Sequence, residues 1–361
     1  MAPDFGLPAN ARSETLAEVG EIETLRQIFP RLPRAAAELL GPGDDAAVLA
    51  APDGRYVVTT DMMIHGPDFR AAWSTAHDLG WKAAMTNLAD VAAMGARPTA
   101  LVVAIAAPLD TPVEVLLGIA DGLRDACAAA APGCGVVGGD LSVSGTLTLA
   151  VTAFGDLEGR APVTRAGARP GDTLAVAGTL GRAGAGIWLL FRDGVVRHGG
   201  DGAGDPDAVL GAALRREHPD LIEAQLAPSS PIASGVDAAL GGATAMLDVS
   251  DGLVLDARRI AQASGCAIRL DPGAIAREAR DLLDIDAIVG DHAADFVLAG
   301  GEDHALLATF PPGAALPEGF RPIGEAVPVP AGGRPDALVG DRPYDERAGW
   351  DPYADWDGHA G

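Results

Sequence analysis

Lysine is almost absent from this chain of 361 residues, in which Lys82 is the only one. A P-loop needs a lysine directly after a glycine-rich turn, and a protein kinase needs one on a strand of the form Val-Ala-Ile-Lys. Lys82 stands in the segment WKAAMT, which fits neither pattern. If the protein handles nucleotide phosphates, it must hold them with metal ions, arginines and backbone N–H groups.

Long apolar runs are also missing. The longest, over residues 101–109, is far shorter than the roughly 18–20 residues that span a bilayer. The N-terminal MAPDFGLPAN has neither the basic nor the apolar region of a secretory signal. The three cysteines (Cys127, Cys134 and Cys266) have no CxxC spacing, which favours buried free thiols in a reducing compartment. We therefore expect a cytoplasmic protein with no membrane partner.

Basic residues are scarce, with 26 against 50 acidic ones and a formal net charge of −24. Nucleic acids and anionic membranes repel such a surface, so neither is expected as a partner. The acidic excess serves solubility, or some of the acids bind cations, and counting cannot separate the two. The seven histidines are scattered without metal-ligand spacing and the cysteines do not cluster with them, which excludes a typical zinc site.

The length and the 48% hydrophobic content predict two domains of a globular α/β (α+β) protein. The segment 158–172 is rich in Gly, Pro and Arg, which is typical of a domain boundary. We therefore expect an N-terminal domain over residues 1–157, with a mixed sheet and helices, and a C-terminal α/β domain over residues 158–361.

Apolar spacing predicts the order of the elements. A helix over residues 13–40 is followed by a hairpin of strands at 46–49 and 56–60, which ends at Asp61. Ser74 is expected to cap a long helix that reaches Met94. The remaining predictions are strands at 101–107, 135–137, 146–154, 173–177, 243–248, 296–299 and 305–310, helices at 112–130, 181–191, parts of 221–240, and 253–264, and a surface loop at 195–206.

Acidic residues recur at the ends of these elements, mostly beside glycines or after strands. The clusters are GDD at Asp44-Asp45, TTD at Asp61, NLAD at Asp90, GGD at Asp140, DVSD at Asp248 and Asp251, and GGED at Glu302-Asp303. Taken singly, each is explained by a turn or a helix cap.

Asp90 is harder to explain in this way, because it stands in the middle of a predicted helix. Ala83, Asn87, Asp90 and Met94 fall on one helical face, and apolar residues surround them. A carboxylate among apolar groups is costly unless a cation or hydrogen bonds compensate it. A salt bridge to an arginine and a bound metal ion are the two explanations, and we favour the metal. Mg²⁺ prefers carboxylate and water oxygens and binds through a few acids together with substrate phosphates.

As a set, the ordered motifs GDDAA, TTD, NLADVAAMGA, GGD, TRAG, DVSDG and GGED closely resemble the thiamine-monophosphate kinase family. This family belongs to a superfamily with aminoimidazole ribonucleotide synthetase and selenophosphate synthetase, and the resemblance covers roughly residues 41–350. It implies a two-domain aminoimidazole ribonucleotide synthetase-like fold, a homodimer formed through the N-terminal domains, and ATP with several Mg²⁺ ions between the domains.

The resemblance also implies roles for individual residues. The positions that match the family's metal contacts are Asp45, Thr59, Thr60, Asp61, Asp90, Asp140, Asp248 and Asp251. Those that match its ATP contacts are Gly139, Asp140, Arg165 and Ser250. Glu302 and Trp350 match its thiamine-phosphate contacts.

Two positions depart from the family pattern on the acceptor side. Asp68-Phe69 stands where many members have His-Phe at a substrate contact, and His304 follows the GGED motif where Tyr is common. An acid at Asp68 is compatible with the cationic thiazolium of thiamine phosphate, so Asp68 is included among the acceptor contacts.

The expected reaction is the phosphorylation of thiamine monophosphate by ATP with the help of Mg²⁺. No catalytic side chain is expected, because the attacking phosphate oxygen is already ionised and needs no general base. The alternatives are an ATP-dependent ligase of the aminoimidazole ribonucleotide synthetase type and a non-catalytic protein that binds nucleotide or metal. A selenophosphate synthetase normally has a reactive Cys near the N-terminus, whereas the first cysteine here is Cys127.

Overall fold

A computed structural model describes residues 14–40, 47–198, 204–344 and 349. The N-terminal segment forms short elements in place of the predicted helix over 13–40. They are α1 (Leu16–Val19), α2 (Glu21–Ile28), a 3₁₀ turn (Phe29–Arg31), β1 (Glu38–Leu40) and β2 (Val48–Leu49). Gly20, at φ 75°, separates the two helices. Pro33 keeps Leu32 in an extended conformation, as expected for a residue before proline, and this ends the helical segment.

A four-stranded sheet follows, in the order β3-β6-β4-β5. Its strands are β3 (Val57–Ile64), β4 (Arg97–Ala107), β5 (Gly135–Val143) and β6 (Thr148–Asp156). The β4–β5 pair is parallel and the other pairs are antiparallel. The predicted hairpin ending at Asp61 is wrong, because β3 continues to Ile64 and pairs with β6, where Asp61 lies opposite Val151. Register in a sheet is set by the partner strand, which here lies about 90 residues away.

Two long helices cover one face of this sheet, α3 (Ala76–Ala93) and α4 (Val113–Ala130). Thr75, one residue after the predicted Ser74, caps α3 in a capping box with Asp78. The helices approach very closely, since a Cβ built on Gly122 would lie 2.0 Å from the carbonyl oxygen of His77. The apolar core between helices and sheet continues onto the second half of the chain through residues such as Met246.

The second half forms a seven-stranded sheet in the order β10-β12-β7-β13-β11-β14-β15. Its strands are β7 (Thr173–Ala177), β10 (Ala245–Val249), β11 (Ala267–Leu270), β12 (Ala305–Phe310), β13 (Arg321–Val327), β14 (Ala337–Val339) and β15 (Arg342–Pro343). The other elements are α5 (Arg182–Asp193), β8 (Val195–Val196), β9 (Asp205–Pro206), α6 (Ala208–Glu217), α7 (Pro219–Leu226), α8 (Ile232–Leu240), α9 (Leu253–Ser264), α10 (Pro272–Ile285), a 3₁₀ helix (Ala287–His292) and α11 (Ala293–Ala299). The predicted α/β class is confirmed.

Two further predictions need correction. The strand predicted over 296–299 is the end of helix α11, whose buried residues include Ala293 and Val297 one helical turn apart; a short apolar run cannot distinguish a strand from a buried helix. The loop predicted over 195–206 contains the two-residue strands β8 and β9, and residues 199–203 lie outside the described part. All three cysteines are buried free thiols, as predicted. No helix among the described residues is long and apolar enough to cross a membrane.

Candidate active site

Strand β3 and helix α3 bring the first group of candidate residues together. The hydroxyl of Thr59 donates a 2.8 Å hydrogen bond to Oδ2 of Asp90. The backbone N–H of Asp61 donates to Oδ1 of Asn87 over 3.2 Å. Asn87 and Asp90 of α3 therefore face β3, as their helical spacing predicts, and no lysine or arginine in the described ranges pairs with Asp90.

Asp248, at the end of β10, brings the second sheet to this group. Burial, followed by the negative charges of Asp248 and Asp61, raises the pKa of Asp90 to about 7. Partial burial and the charges of Asp248 and Asp251 likewise raise the pKa of Asp61. Carboxyl groups whose pKa is raised by neighbouring carboxylates lie in a region of negative potential, which favours a bound cation.

These acids do not by themselves enclose a metal ion. Among the described residues, no three His, Cys, Asp or Glu side chains come together as a metal site. Mg²⁺ commonly keeps several waters and takes only one or two carboxylates together with substrate phosphates. The oxygen donors available here are the carboxylates of Asp61, Asp90 and Asp248 and the hydroxyl of Thr59. This set therefore fits Mg²⁺ that is bound together with a phosphate ligand.

The loop after β10 is held by two residues that the motif analysis missed. Arg259 on α9 contacts Asp251 at 2.6 Å and also pairs with Asp256. Asp256 accepts a 3.1 Å hydrogen bond from the backbone N–H of Asp251. Burial raises the pKa of Asp256 to about 7 against the attraction of Arg259. The i,i+3 spacing of Asp256 and Arg259 in α9 was the only sequence signal of this contact.

The GGED turn and the residue after it present three consecutive polar side chains, Glu302, Asp303 and His304, to different neighbours. Glu302 and His304 adopt positive φ values of 65° and 49°, which are uncommon for residues other than glycine. Glu302 pairs with Lys82 at 3.0 Å. Asp303 turns away and accepts hydrogen bonds from the backbone N–H groups of Gly181 and Ala183 at the start of α5, so its role is to cap that helix.

His304 connects this turn to the acid group. Its Nδ1 lies 3.1 Å from Oδ2 of Asp248, whereas its Nε2 is buried and has no hydrogen-bond partner among the described residues. Burial acts to lower the pKa of His304, but the hydrogen bond and the charge of Asp248 raise it overall. The residue that departs from the family pattern thus orients one of the predicted metal ligands.

Asp68 lies in the exposed turn after β3, where its Oδ2 accepts a 2.7 Å hydrogen bond from the backbone N–H of Ile64. Partial burial and the negative charge of Glu302 raise the pKa of Asp68, against the hydrogen bond from Ile64 and the attraction of Lys82. Asp68 and Glu302 are therefore close enough to interact. Ser250 lies on the same side, since its carbonyl oxygen accepts from the backbone N–H of Glu302 at 2.7 Å.

The structure does not bring every candidate to this place. Gly139 and Asp140 lie on β5, at the opposite edge of the sheet from Asp61; three strand spacings separate those edges by about 14 Å. Asp140 accepts a 2.6 Å hydrogen bond from Ser142. Thr60 faces away from α3 and donates to the carbonyl of Val151.

Arg165 has an exposed side chain in the segment between the two sheets, and its carbonyl oxygen accepts from Ser264. Asp45 and Trp350 lie outside the described residues.

Comparisons with known proteins agree with the motifs. A family model described as AIR synthase related protein, N-terminal domain, matches residues 43–157. The thiamine-monophosphate kinase of Mycobacterium tuberculosis is 41% identical over 345 residues, which are 96% of this chain and 95% of the relative.

Solved structures give the same result. Thiamine-monophosphate kinase from Stenotrophomonas maltophilia K279a superposes with a TM-score of 0.69 at 29% identity, over 90% of this chain and 96% of that chain. A structure of AaThiL complexed with AMPPCP and TMP has a TM-score of 0.66 at 26% identity, over 94% and 99% of the two chains. The resemblance that the motifs indicated is confirmed, and the chain belongs to the thiamine-monophosphate kinase family.

Proposed function

We propose that the protein transfers the γ-phosphate of ATP to thiamine monophosphate and forms thiamine diphosphate and ADP. The observation that carries the proposal is the convergence of Asp61 on β3, Asp90 on α3 and Asp248 on β10, with pKa values raised for the first two. The relatives named thiamine-monophosphate kinase, and the related structure that holds AMPPCP (an ATP analogue) and TMP, support the same reaction.

The reaction brings two polyanions together, so its main requirement is the neutralisation of charge. When bound, Mg²⁺ supplies this neutralisation and aligns the phosphates. We propose that Asp61, Asp90 and Asp248 hold these ions together with Asp251 and the hydroxyl of Thr59. Asp45 and Thr60 are further candidates from the family pattern. No side chain has to remove a proton, because the second pKa of a phosphate monoester is about 6 and the attacking oxygen is ionised at neutral pH.

We assign the two substrates to different residues around this group. ATP contacts are proposed for Gly139, Asp140, Arg165 and Ser250, and acceptor contacts for Asp68, Glu302 and Trp350. The interaction of Asp68 with Glu302 supports a shared acceptor site, and a negative potential there suits the cationic thiazolium. Arg165 would add a fixed positive charge for a phosphate of ATP.

We further propose two domains, with the boundary after residue 157, and a cytoplasmic homodimer. The face of the four-stranded sheet opposite α3 and α4 carries exposed apolar residues, among them Val58 and Met62 at 60% and 58% exposure. Met62 lies in register with Ala150, Ala104 and Asp140 across the sheet. A second copy that packs against this face can bring its own strand β5, which carries Asp140, to strand β3 of the first copy, which carries Asp61. This arrangement accounts for the separation of these two acids within one chain.

The homodimer is tested with Met62→Lys, because a lysine on this face opposes apolar contact. Light scattering after size exclusion should show a dimer for the unaltered protein and a monomer for the variant, with activity lost together with the dimer. Val209→Lys, at a 77% exposed position on α6, is the matched control. A monomer in the unaltered protein, or a fully active monomeric variant, contradicts the dimer proposal.

The reaction is tested by measuring ADP release from ATP with Mg²⁺, comparing thiamine monophosphate, free thiamine and no acceptor, with the product identified by mass. Thiamine diphosphate formed only from the monophosphate is the expected result. ADP released without thiamine diphosphate, or Mg-ATP binding without any turnover of the monophosphate, contradicts the proposed acceptor.

A further inference from the structure

The one lysine of the chain occupies an unusual position. Lys82 lies in the middle of α3 with a side chain that is only 6% exposed. Its ammonium lies 3.0 Å from Oε1 of Glu302 and donates to the carbonyl oxygen of Gln225 over 3.1 Å. A buried ammonium is costly unless it is paired and hydrogen-bonded, and both conditions are met here by residues of the second half of the chain.

Glu302 is held on both of its carboxylate oxygens. Lys82 contacts Oε1, and the side-chain amide of Gln225 donates to Oε2. The backbone of Glu302 is in the left-handed region, at φ 65°, a conformation that persists in such a residue only when its surroundings fix it. Even so, 40% of the side-chain surface remains exposed, so Glu302 is held in place and part of its side chain is accessible to a ligand.

The charges of this network favour an ionised Glu302. Burial acts to raise the pKa of its carboxyl, but the charge of Lys82 and the hydrogen bonds from Gln225 and Lys82 lower it overall. Oε1 of Gln225 is buried and has no hydrogen-bond partner in the described part of the chain. A buried polar atom of this kind normally finds a partner in water or in a ligand, so this end of the network can accept a further hydrogen bond.

We propose that Lys82 is a positioning residue for the phosphate acceptor: it reaches from α3 to fix Glu302 in the orientation that binds thiamine monophosphate. This inference rests on the proposed function, because it assigns Glu302 to the acceptor. The contact also joins the helix that carries Asp90 to the turn that carries Glu302, so the metal group and the acceptor site keep a fixed separation.

A lysine suits this position better than an arginine would. Gly80, two residues earlier in α3, lies so close to α4 that a Cβ there would be 1.9 Å from the carbonyl oxygen of Ile119. The helix therefore has little freedom to shift. A compact ammonium can donate to Glu302 and to Gln225 at once, whereas the wider planar guanidinium needs more space.

The test compares Lys82→Met and Lys82→Arg with the unaltered protein, with KM measured separately for thiamine monophosphate and ATP. Loss of a hydrogen bond to a charged group typically costs about tenfold or more in affinity. We expect Lys82→Met to raise KM for the acceptor by at least about tenfold, to leave KM for ATP within about twofold, and to be partly rescued in Lys82→Arg. A merely structural role would move both KM values together with the thermal midpoint.

Two further variants extend the test, and the first of them keeps the inference testable if Lys82→Met does not fold. Gln225→Met removes the contact to Oε2 without altering Lys82 and should also raise KM for the acceptor selectively. Adding Glu302→Gln to Lys82→Met should cause little further loss, since coupled residues are not additive. An unchanged acceptor KM in Gln225→Met, and in Lys82→Met where that variant folds, overturns this inference and leaves the proposed function standing. The absence of thiamine diphosphate from the unaltered protein overturns the proposed function and this inference with it.

Discussion

Asp90→Asn probes the candidate site most directly. Burial and the charges of Asp248 and Asp61 raise the pKa of Asp90 from an ordinary value of 3.8 to about 7. Asparagine has the same shape and can still accept the 2.8 Å hydrogen bond from Thr59. The change therefore removes one negative charge from the group of acids and little else.

The sign of the effect on stability follows from the direction of the pKa shift. The folded-state pKa of Asp90 lies above the unfolded value, so the folded protein binds this proton more tightly, and stability falls as pH rises from about 4 to about 7. The raised pKa corresponds to a cost of about 2 kcal/mol at pH 5 and about 4 kcal/mol at pH 8. Without metal, we expect Asp90→Asn to be more stable than the unaltered protein, with a gain that is about 2–3 kcal/mol larger at pH 8 than at pH 5.

Urea unfolding in EDTA, followed by circular dichroism at both pH values, measures this difference. With Mg²⁺ in place of EDTA, the unaltered protein should gain more stability than the variant, because a ligand stabilises the state that binds it. In the same variant, kcat for ADP release should fall by orders of magnitude. The exposed Asp110 gives a matched control, since Asp110→Asn should change neither quantity. Equal stability gains at pH 5 and pH 8, or full activity, would refute the reasoning.

Three other predictions follow from the site and its support. His304→Leu removes the contact of His304 with Asp248 and should weaken Mn²⁺ binding, measured by electron paramagnetic resonance, by about tenfold or more. In His304→Asn the side-chain amide can occupy the place of Nδ1, so this variant should retain most of the Mn²⁺ affinity. Equal Mn²⁺ binding by the two variants would contradict the role of His304 in orienting Asp248. Asp303→Ala leaves two buried N–H groups at the N-terminus of α5 without an acceptor. It should lower the free energy of unfolding by about 1–3 kcal/mol, measured as a lower urea midpoint, and an unchanged midpoint would count against the cap. Gly122→Ala places a Cβ 2.0 Å from a carbonyl oxygen of α3 and should lower the free energy of unfolding, measured with heat or urea, by about 2–3 kcal/mol. Gly145 has open space around it, so Gly145→Ala should lower the free energy of unfolding far less. Similar losses of stability in the two variants would show that the helices can separate freely.

Helix α3 shows how far the sequence alone could lead. Its spacing placed Asn87 and Asp90 on one face, and the structure confirms that both contact strand β3. Local periodicity was enough, because one helical turn fixes which residues share a face. The same reasoning failed over residues 13–40, where apolar spacing continued across Gly20 and Pro33 although the backbone could not stay helical there.

The network around Glu302 shows what the sequence could not supply. Lys82 was notable only as an isolated lysine, and Gln225 carried no signal at all. Gln225 lies 77 residues before Glu302 in the chain, and Lys82 lies farther from it still. No local pattern encodes a pairing over such a separation. Asp303, next to Glu302, shares its motif but serves as a helix cap, which only the path of the turn could decide.

The sequence by itself determined the class of fold, the family and the kinds of residue available for chemistry, because these depend on composition, periodicity and the order of motifs. Only the tertiary structure decided which acids meet. Asp61, Asp90 and Asp248 come together because β3, α3 and β10 pack against one another, whereas Asp140 is separated from them by the strand order β3-β6-β4-β5. Strand order and helix packing depend on burial of apolar surface by the whole chain, and for this reason the positions of the acids relative to one another could not be derived from the motifs.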